Sequence, residues 1–345
     1  MVDVTTLSIE DHRPEALLAA AATVWLPVLR HVVATAPEPL ARMSGYHFGW
    51  WDADGTAVAA QPGGKGFRGG LAVCAGVACG ASPGQAARAG AAVELLHNFT
   101  LVHDDLMDRD RLRRGRATVW SLWGVDTAVL IGDGLHALAI QTLAGQLPST
   151  TAVAMVACLE AAAVELCRGQ YEDLAFETQA TVGMADYVRM VTGKTGALMG
   201  AACALGALAA GAEISVVVAL ETFGRALGVG FQIADDLLGI WGKPAVTGKP
   251  VGADLARRKR SLPVLLALAG GGDVAAELAA LYRPGPKLTC RQIARATALL
   301  EASEARQIAT AEADRRIAQA LAALPEHIST ADLRILAQAV GRRWA

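Results

Sequence analysis

Two pairs of adjacent aspartates stand near the ends of strongly apolar helical segments. In ELLHNFTLVHDDLMD, Asp104 and Asp108 are four residues apart and lie on one helix face, with Asp105 offset from Asp104 by about 100°. In FQIADDLLG, the pair is Asp235 and Asp236. Like charges this close repel unless cations lie between them, and carboxylates without nearby cysteine or paired histidine ligands suit Mg²⁺. The pattern therefore favours a Mg²⁺ site, although either pair alone would also fit a solvated helix end.

Short basic segments accompany the acidic pairs. They contain Lys65 and Arg68 in GGKGFR, Arg113 and Arg114 in RRGR, Lys194 in TGKTG, and Lys249 and Lys259 in GKPVGADLARRKRSLP. Arginine forks match phosphate oxygens in pairs, lysine supplies a compact charge, and neighbouring glycines let backbone N–H groups approach an anion. These residues favour a phosphate-bearing substrate, while a solvated basic surface is the alternative for the arginine run.

Two other chemical signatures are incomplete in this chain. The sequence TGKTG lacks the full phosphate-binding pattern GxxxxGK[ST], because Val188 stands where the first glycine should be and no strand precedes it. Glu94 and His97 form one Glu-x-x-His pair, as in helical di-iron proteins, but such sites need two pairs and the sequence supplies no second one. Neither chemistry is favoured.

The elements that carry these residues are expected to be helices. The chain has 345 residues, of which 53% are hydrophobic and 19% charged, so it can bury a large core and does not resemble a disordered protein. Its net charge of −2 gives no basic excess that would indicate nucleic-acid binding. Alanine-rich apolar segments dominate and alternating strand patterns are scarce, which favours one all-α domain over residues 1–345.

Within that domain, residues 1–45 read as a helical lead-in, residues 45–70 as a loop, and residues 288–344 as an amphipathic helical tail. The uncharged stretch 195–212 reaches the lower limit of membrane-span length, but its alanine and glycine content favours a buried core helix. The six scattered cysteines form no CxxC pair or zinc-type spacing, and the acidic start lacks the features of a signal peptide. A cytoplasmic protein without a membrane span is therefore expected.

Taken in order, the motifs resemble those of the trans-isoprenyl diphosphate synthases, the polyprenyl synthetase family. The resemblance runs through the motif-bearing core 63–263 and includes GGKGFR, ELLHNFTLVHDDLMD with RRG, GQYEDL, GKTGAL, FQIADDLLG and GKPVGADLARRKRSLP. It implies a single all-α bundle around a central cavity, a homodimer, and a Mg²⁺-dependent condensation of isopentenyl diphosphate with an allylic diphosphate.

The resemblance also implies roles for individual residues. The five aspartates would hold Mg²⁺ against the allylic diphosphate, which four cationic residues would contact: Arg113, Lys194, Lys249 and Lys259. The positions implied for isopentenyl diphosphate are Gly64, Lys65, Arg68, His97 and Arg114. The positions implied for stabilising the forming carbocation are Lys194, Thr195 and Gln232.

The sequence departs from the family pattern at two positions. Gly239 stands where the family usually has a third aspartate in its second acidic motif, and Gly69 stands where it usually has proline. A terpene cyclase of the same fold and a non-catalytic partner subunit therefore remain alternatives. The presence of Lys65, Arg68 and Arg114 favours a synthase, because a cyclase has no isopentenyl diphosphate to bind.

The length of the product is expected to depend on Phe99. This residue lies five positions before Asp104, about one and a half helical turns deeper along the same helix. An aromatic residue at this position often limits products of the family to C15–C20, and the motif has no two-residue insertion. The resemblance therefore implies geranylgeranyl diphosphate first and farnesyl diphosphate next, whereas ordinary core packing is the alternative role for Phe99.

Overall fold

The computed structural model describes residues 13–58, 66–145, 148–177, 179, 181–242, 252–283 and 285–342. Its first ten helices are α1 Pro14–Ala34, α2 Leu40–Phe48, α3 Phe67–Ala78, α4 Pro83–Met107, α5 Val119–Trp123, α6 Val125–Ala144, α7 Ser149–Phe176, α8 Met184–Val191, α9 Ala197–Ala209 and α10 Ile214–Trp241. Six more follow: α11 Ala253–Ala256, α12 Leu262–Ala269, α13 Gly272–Leu281, α14 Cys290–Ala302, α15 Ala305–Ala323 and α16 Ala331–Gly341. Among the described residues, the named strands are β1 Leu112–Arg113 and β2 Arg116–Ala117, so the all-α prediction is confirmed.

Contacts within the chain define two compact units, each assembled from three stretches. Unit 1 comprises Met1–Ala163, Ala201–Glu221 and Pro325–Ile335, and unit 2 comprises Val164–Gly200, Thr222–Leu324 and Leu336–Ala345. The first acidic motif lies in unit 1, and the second lies in unit 2. The expectation of a single domain stays a prediction.

Helix α4 is the central element of unit 1. It begins at a capping box in which the backbone N–H of Ser82 donates to the side chain of Gln85, and Pro83 occupies the first helical position, where its missing N–H costs nothing. The helix packs against α1, α3 and α6 and is buried along most of its length, mainly through alanine, valine and leucine. This packing leaves the two ends of the helix as the parts that reach solvent, and the carboxyl end carries the acidic motif.

The end of α4 is shaped by a Schellman motif. The N–H of Asp110 donates to the carbonyl of Asp105 at 2.9 Å, and Arg109 adopts a positive φ of 56° in the position where glycine is usual. A short hairpin follows, in which Arg114 and Gly115 both have positive φ between β1 and β2. Positive φ at both central residues is typical of a type I′ turn. The hairpin therefore brings the segment with Arg113 and Arg114 back towards the end of α4.

In unit 2, α8, α10, α12 and α15 surround a buried cluster that includes Tyr187, Ile233 and Leu262. Close backbone approach is required where α7 meets Thr192–Gly196, a π-helical turn that joins α8 to α9. A Cβ on Gly169 would lie 2.8 Å from the carbonyl carbon of Gly193, so only glycine fits there. This contact positions the TGKTG segment against α7.

Two sequence expectations are tested by these elements. Residues 45–70 are not a continuous loop: α2 extends to Phe48, Trp51 and Ala57 form a β-bridge, and α3 begins at Phe67. Two aromatic residues of this stretch, Tyr46 and Trp50, are buried. The helical tail is confirmed by α14, α15 and α16.

The stretch 195–212 lies mostly in α9, as expected for a core helix. Five described segments are long and apolar enough to cross a membrane, judged by length and composition: α1, α6, α7, the run Met184–Ala209 and α10. In the run Met184–Ala209, 83% of the apolar window is buried within the protein. The absence of a membrane span stays a prediction for the chain as a whole.

Candidate functional site

The carboxylates at the end of α4 differ in their surroundings. Asp105 is 2% exposed, and both of its oxygens lie 2.9 Å from the Nε of Arg113, which donates to them. Burial raises the pKa of Asp105, and the Arg113 guanidinium opposes that shift. Asp104 is half-buried and Asp108 is exposed at the C-cap, where the helix macrodipole favours cations. Asp105 therefore orients an arginine, while Asp104 and Asp108 lie nearer to solvent.

A second polar group in unit 1 joins α3 to α4. Arg68, in the first turn of α3, donates to the Nε2 of His97 at 3.3 Å, and the backbone N–H of Gly69 donates to buried Glu94 at 2.8 Å. Because arginine can only donate, Nε2 of His97 is the acceptor. Burial and the nearby Arg68, Arg113 and Arg114 guanidinium groups hold the pKa of His97 well below its usual range. His97 is thus neutral and directed at a strongly basic region.

Sequence reasoning missed His47, which belongs to the same basic region. Its Nε2 lies 3.1 Å from the Oδ1 of Asn98, whose amide nitrogen donates to the carbonyl of Glu94 at 2.7 Å. Burial, Arg113 and Arg114 lower the pKa of His47 to about 3. No motif marks His47, because its partner is 51 positions away in the sequence and only the packed structure brings them together.

Phe99 lies on α4 between two histidine rings. Its ring stacks on His136 with centroids 5.1 Å apart and meets His103 edge-on at 4.9 Å. His136 is in turn paired with Glu160, whose two carboxylate oxygens each lie 2.9 Å from Nε2. The Phe99 ring therefore contacts His103 on its own helix and His136 on α6, and Glu160 on α7 holds His136 in turn.

The second acidic motif lies on α10 in unit 2. Asp236 is 1% exposed and accepts hydrogen bonds from the hydroxyl of Tyr187 at 2.8 Å, the Nζ of Lys259 at 2.9 Å and the backbone N–H of Leu262 at 3.0 Å. Burial raises the pKa of Asp236, but Lys259 and the other donors outweigh it and lower the pKa overall. Asp235 is exposed. As on α4, one aspartate of the pair is bound by protein donors and its neighbour reaches solvent.

The residues predicted to stabilise a carbocation connect to this network. Thr195 donates to the Oε1 of Gln232 at 2.8 Å, and the amide nitrogen of Gln232 donates to Asp236 at 3.2 Å. Lys194 is paired with Asp173 of the GQYEDL element. The structure thus brings the TGKTG segment, α7 and α10 together within unit 2. Tyr187, which the sequence analysis did not identify, is one of the hydrogen-bond donors around Asp236.

The donor set fits a hard cation that shares its coordination with a ligand. In the described part of the chain, no group of three or more histidine, cysteine, aspartate or glutamate side chains is placed to hold a metal ion alone. Magnesium commonly uses one or two carboxylates and completes its shell with water and phosphate oxygens. Three of the predicted ligands, Asp104, Asp108 and Asp235, lie near enough to solvent for that role. Gly64, Lys65 and Lys249 lie outside the described residues.

Comparisons with known proteins agree with these features. A family model described as polyprenyl synthetase matches residues 55–300. A geranylgeranyl diphosphate synthase of Mycobacterium tuberculosis is 50% identical over 329 residues, which cover 95% of this chain and 94% of that protein. A (2E,6E)-farnesyl diphosphate synthase of Mycobacterium bovis is 42% identical, with 88% and 85% of the two chains covered.

Solved structures give the same picture. A polyprenyl synthetase from Streptomyces coelicolor A3(2) has a TM-score of 0.88 and 37% identity, covering 94% of this chain and 98% of its own. A geranylgeranyl pyrophosphate synthase from Corynebacterium glutamicum, complexed with calcium and isoprenyl diphosphate, has a TM-score of 0.78 and 29% identity, with 98% and 100% covered.

Proposed function

Because the chain belongs to the polyprenyl synthetase family and is a short-chain trans-prenyltransferase, we propose that its main product is geranylgeranyl diphosphate. The observation that carries this proposal is the 50% identity, over nearly the whole chain, to a geranylgeranyl diphosphate synthase, against 42% to a farnesyl diphosphate synthase. The stacked ring of Phe99, on the helix that also carries Asp104, supports it, since a bulky residue there would stop the growing chain.

Enzymes of this class generally use a divalent metal, and we propose Mg²⁺. Asp104, Asp108 and Asp235 would hold it, because their carboxylates are the less buried members of the two motifs. The metal would neutralise the diphosphate leaving group as its charge develops. Asp105 and Asp236 contribute in another way: each binds a cationic side chain, Arg113 or Lys259, and so aims it. In this role, Asp105 and Asp236 do not need to contact the metal.

The proposed substrate contacts are those that the sequence motifs imply, and Gly64, Lys65 and Lys249 among them lie outside the described residues. Arg113, Lys194, Lys249 and Lys259 would bind the allylic diphosphate as charged hydrogen-bond donors. The isopentenyl diphosphate would be bound by Gly64, Lys65, Arg68, His97 and Arg114. Since His97 is neutral, it can contribute a hydrogen bond without adding to the repulsion among the arginines.

The proposed reaction is an ionisation followed by the formation of a carbon–carbon bond. The allylic carbon–oxygen bond breaks, the electron pair leaves with the diphosphate, and C4 of isopentenyl diphosphate attacks the resulting cation. The released diphosphate takes the proton that is lost as the new double bond forms. Thr195 and Gln232 present oxygen dipoles that would stabilise the cation, and Lys194 stays paired with Asp173. Apolar surroundings would keep water from quenching the cation.

A single assay separates this proposal from its alternatives. Purified protein is incubated with Mg²⁺, isopentenyl diphosphate and either dimethylallyl, geranyl or farnesyl diphosphate, and the products are identified by mass spectrometry. We expect geranylgeranyl diphosphate, and no product after chelation of divalent ions. Hydrocarbon from one allylic diphosphate alone would instead indicate a cyclase, and turnover only with a second, different chain would indicate a partner subunit.

We also propose a cytoplasmic homodimer. Exposed apolar side chains in unit 1, among them Leu130 on α6 and Val153 on α7, each 69% exposed, support an association surface. Light scattering of the purified chain is expected to give twice the mass of 35.7 kDa. A monomeric mass at micromolar concentration would rule out the dimer.

A further inference from the structure

The position of Gly239 on α10 is filled by a residue from elsewhere in unit 2. A Cβ on Gly239 would overlap the side chain of Asp254, whose Oδ2 is nearest and whose Cγ would lie 2.6 Å away. Real Cβ atoms do not approach other atoms this closely, so the Asp254 carboxylate occupies the space that a side chain at 239 would use.

That space lies beside the exposed member of the acidic pair. Residue 239 follows Asp235 by four positions, which places both on one face of α10, one turn apart. The carboxylate of Asp254 thus lies next to the face that presents Asp235. Lys259 lies close to it as well, with Nζ 2.9 Å from Asp236 and 3.7 Å from Asp254.

The segment that carries Asp254 is fixed by contacts of its own. Leu255 is fully buried, and the N–H of Leu288 donates to the carbonyl of Ala256 at 3.0 Å. Arg258 adopts a positive φ of 54°, and its guanidinium donates to the carbonyls of Leu281 at 2.8 Å and Gly285 at 3.1 Å. A strained arginine held by several carbonyls restricts the chain on the carboxyl side of Asp254. Its carboxylate is therefore positioned by the fold.

We propose that Asp254 supplies a further carboxylate to the α10 metal site, beside Asp235 and in the place that Gly239 leaves open. This inference rests on the proposed function and adds a ligand-binding residue to it. The side chain is 18% exposed, so it remains reachable, and its neighbour Lys259 has a closer partner in Asp236. An exchange of this kind keeps three carboxylates around α10 even though its helical motif supplies only two.

The alternative role for Asp254 is to neutralise Lys259 as a structural ion pair. The two roles give different results when metal binding and stability are measured separately. Binding of Mn²⁺ in the presence of inorganic diphosphate is followed by the electron paramagnetic resonance of the free ion, and thermal unfolding is measured on the same samples. Six proteins are compared with the native chain: Asp254→Asn, Asp235→Asn, Gly239→Asp, the double variant Gly239→Asp with Asp254→Gly, the single Asp254→Gly, and the exposed control Asp273→Asn.

We expect Asp254→Asn to raise the dissociation constant of Mn²⁺ by about tenfold or more, the scale seen when groups around a metal are removed. Gly239→Asp should weaken binding as well, because the new side chain displaces Asp254. The double variant should recover most of the affinity that Asp254→Gly loses, and Asp273→Asn should match the native chain.

The inference is overturned if Asp254→Asn lowers thermal stability but binds Mn²⁺ as the native chain does, while Asp235→Asn does not. It is equally overturned if the double variant binds no better than Asp254→Gly. A native chain that takes up no Mn²⁺ with diphosphate would contradict the proposed function itself, and this inference with it.

Discussion

At the residue scale, the two members of each aspartate pair differ in burial and in their protein partners, which is the basis for the different roles proposed for them. Asp105 and Asp236 are buried and bound by Arg113 and Lys259, whereas Asp235 is exposed. The sequence identified all the aspartates but could not separate them, since adjacent identical residues carry no information about which face of the helix is covered. Nor could the sequence identify Tyr187 as a partner of Asp236, because the two residues meet only where α8 packs near α10 in the folded chain.

This difference in burial predicts that one isosteric variant mainly loses stability and that the other mainly loses activity. Asp236→Asn should lower the free energy of unfolding by about 1–3 kcal/mol, because the buried group that accepts hydrogen bonds from Tyr187, Lys259 and Leu262 loses its charge. Asp235→Asn should change it by less than about 0.5 kcal/mol, as for an exposed site, while lowering kcat by about 10²–10³. Denaturant unfolding and steady-state kinetics measure the two effects. Equal losses of stability in both variants would show that the burial argument is wrong.

The neutral histidine at position 47 predicts a pH dependence of stability. In the unfolded chain a histidine takes up a proton below pH about 6.5, whereas folded His47, with its pKa lowered to about 3, does not. The unfolded state therefore binds more protons between these values, and stability falls as the pH falls through that window.

Replacing His47 by glutamine should remove up to about 1.4 kcal/mol per pH unit of this slope. Denaturant unfolding at pH 6.5, 5.5 and 4.5 measures it. As a control, His31→Gln changes a histidine on α1 that is exposed to solvent. An unchanged slope in His47→Gln would mean that the residue titrates normally in the folded protein.

At the element scale, helix α4 links the chemistry to the length of the product. The sequence predicted that the first aspartate pair stands near the end of an apolar helical segment, and α4 does end at Met107. The start of α3 at Phe67 was missed, because GGKGFRGG is rich in glycine and reads locally as a loop while tertiary packing against α1 and α4 makes it helical. Local composition therefore predicted the long apolar helices well and the glycine-rich boundaries poorly.

The position of Phe99 on α4 predicts a change of product. Phe99→Ala removes the ring that stacks on His136 and should allow products longer than C20. Chromatography and mass spectrometry of the assay products measure the distribution, with Val129→Ala on the exposed face of α6 as the control. Products of native length from the Phe99 variant would assign the ring to core packing alone.

Close packing of α7 against the π-helical turn predicts that adding one methyl group has opposite effects on stability at Gly169 and at Gly84. A Cβ on Gly169 would lie 2.8 Å from the carbonyl carbon of Gly193, so Gly169→Ala should destabilise the protein by about 1–3 kcal/mol. At Gly84, in the first turn of α4, a Cβ meets nothing within 4 Å. Gly84→Ala should therefore stabilise by about 0.4–1 kcal/mol. Thermal and denaturant unfolding test both, and a neutral Gly169→Ala would contradict the close approach.

At the scale of the whole molecule, the residues proposed to act on the substrates are divided between the two compact units. Unit 1 contains Asp104 and Arg113, and unit 2 contains Asp235 and Lys194. The order of the motifs along the sequence predicted the reaction through its resemblance to the polyprenyl synthetase family. The motif order could not predict that the chain forms two compact units, each assembled from three separate stretches of the sequence, because that division depends on contacts between distant segments.

The central claim is that carboxylates of α4 and α10 hold divalent ions against one allylic diphosphate. Crystals of the full chain grown with Mn²⁺ and an unreactive thio analogue of farnesyl diphosphate allow the ions to be located by anomalous scattering. We expect ions bonded to Asp104 or Asp108 and to Asp235, each also bonded to oxygens of the same diphosphate. A diphosphate bound with no ion on either set of carboxylates would contradict the account.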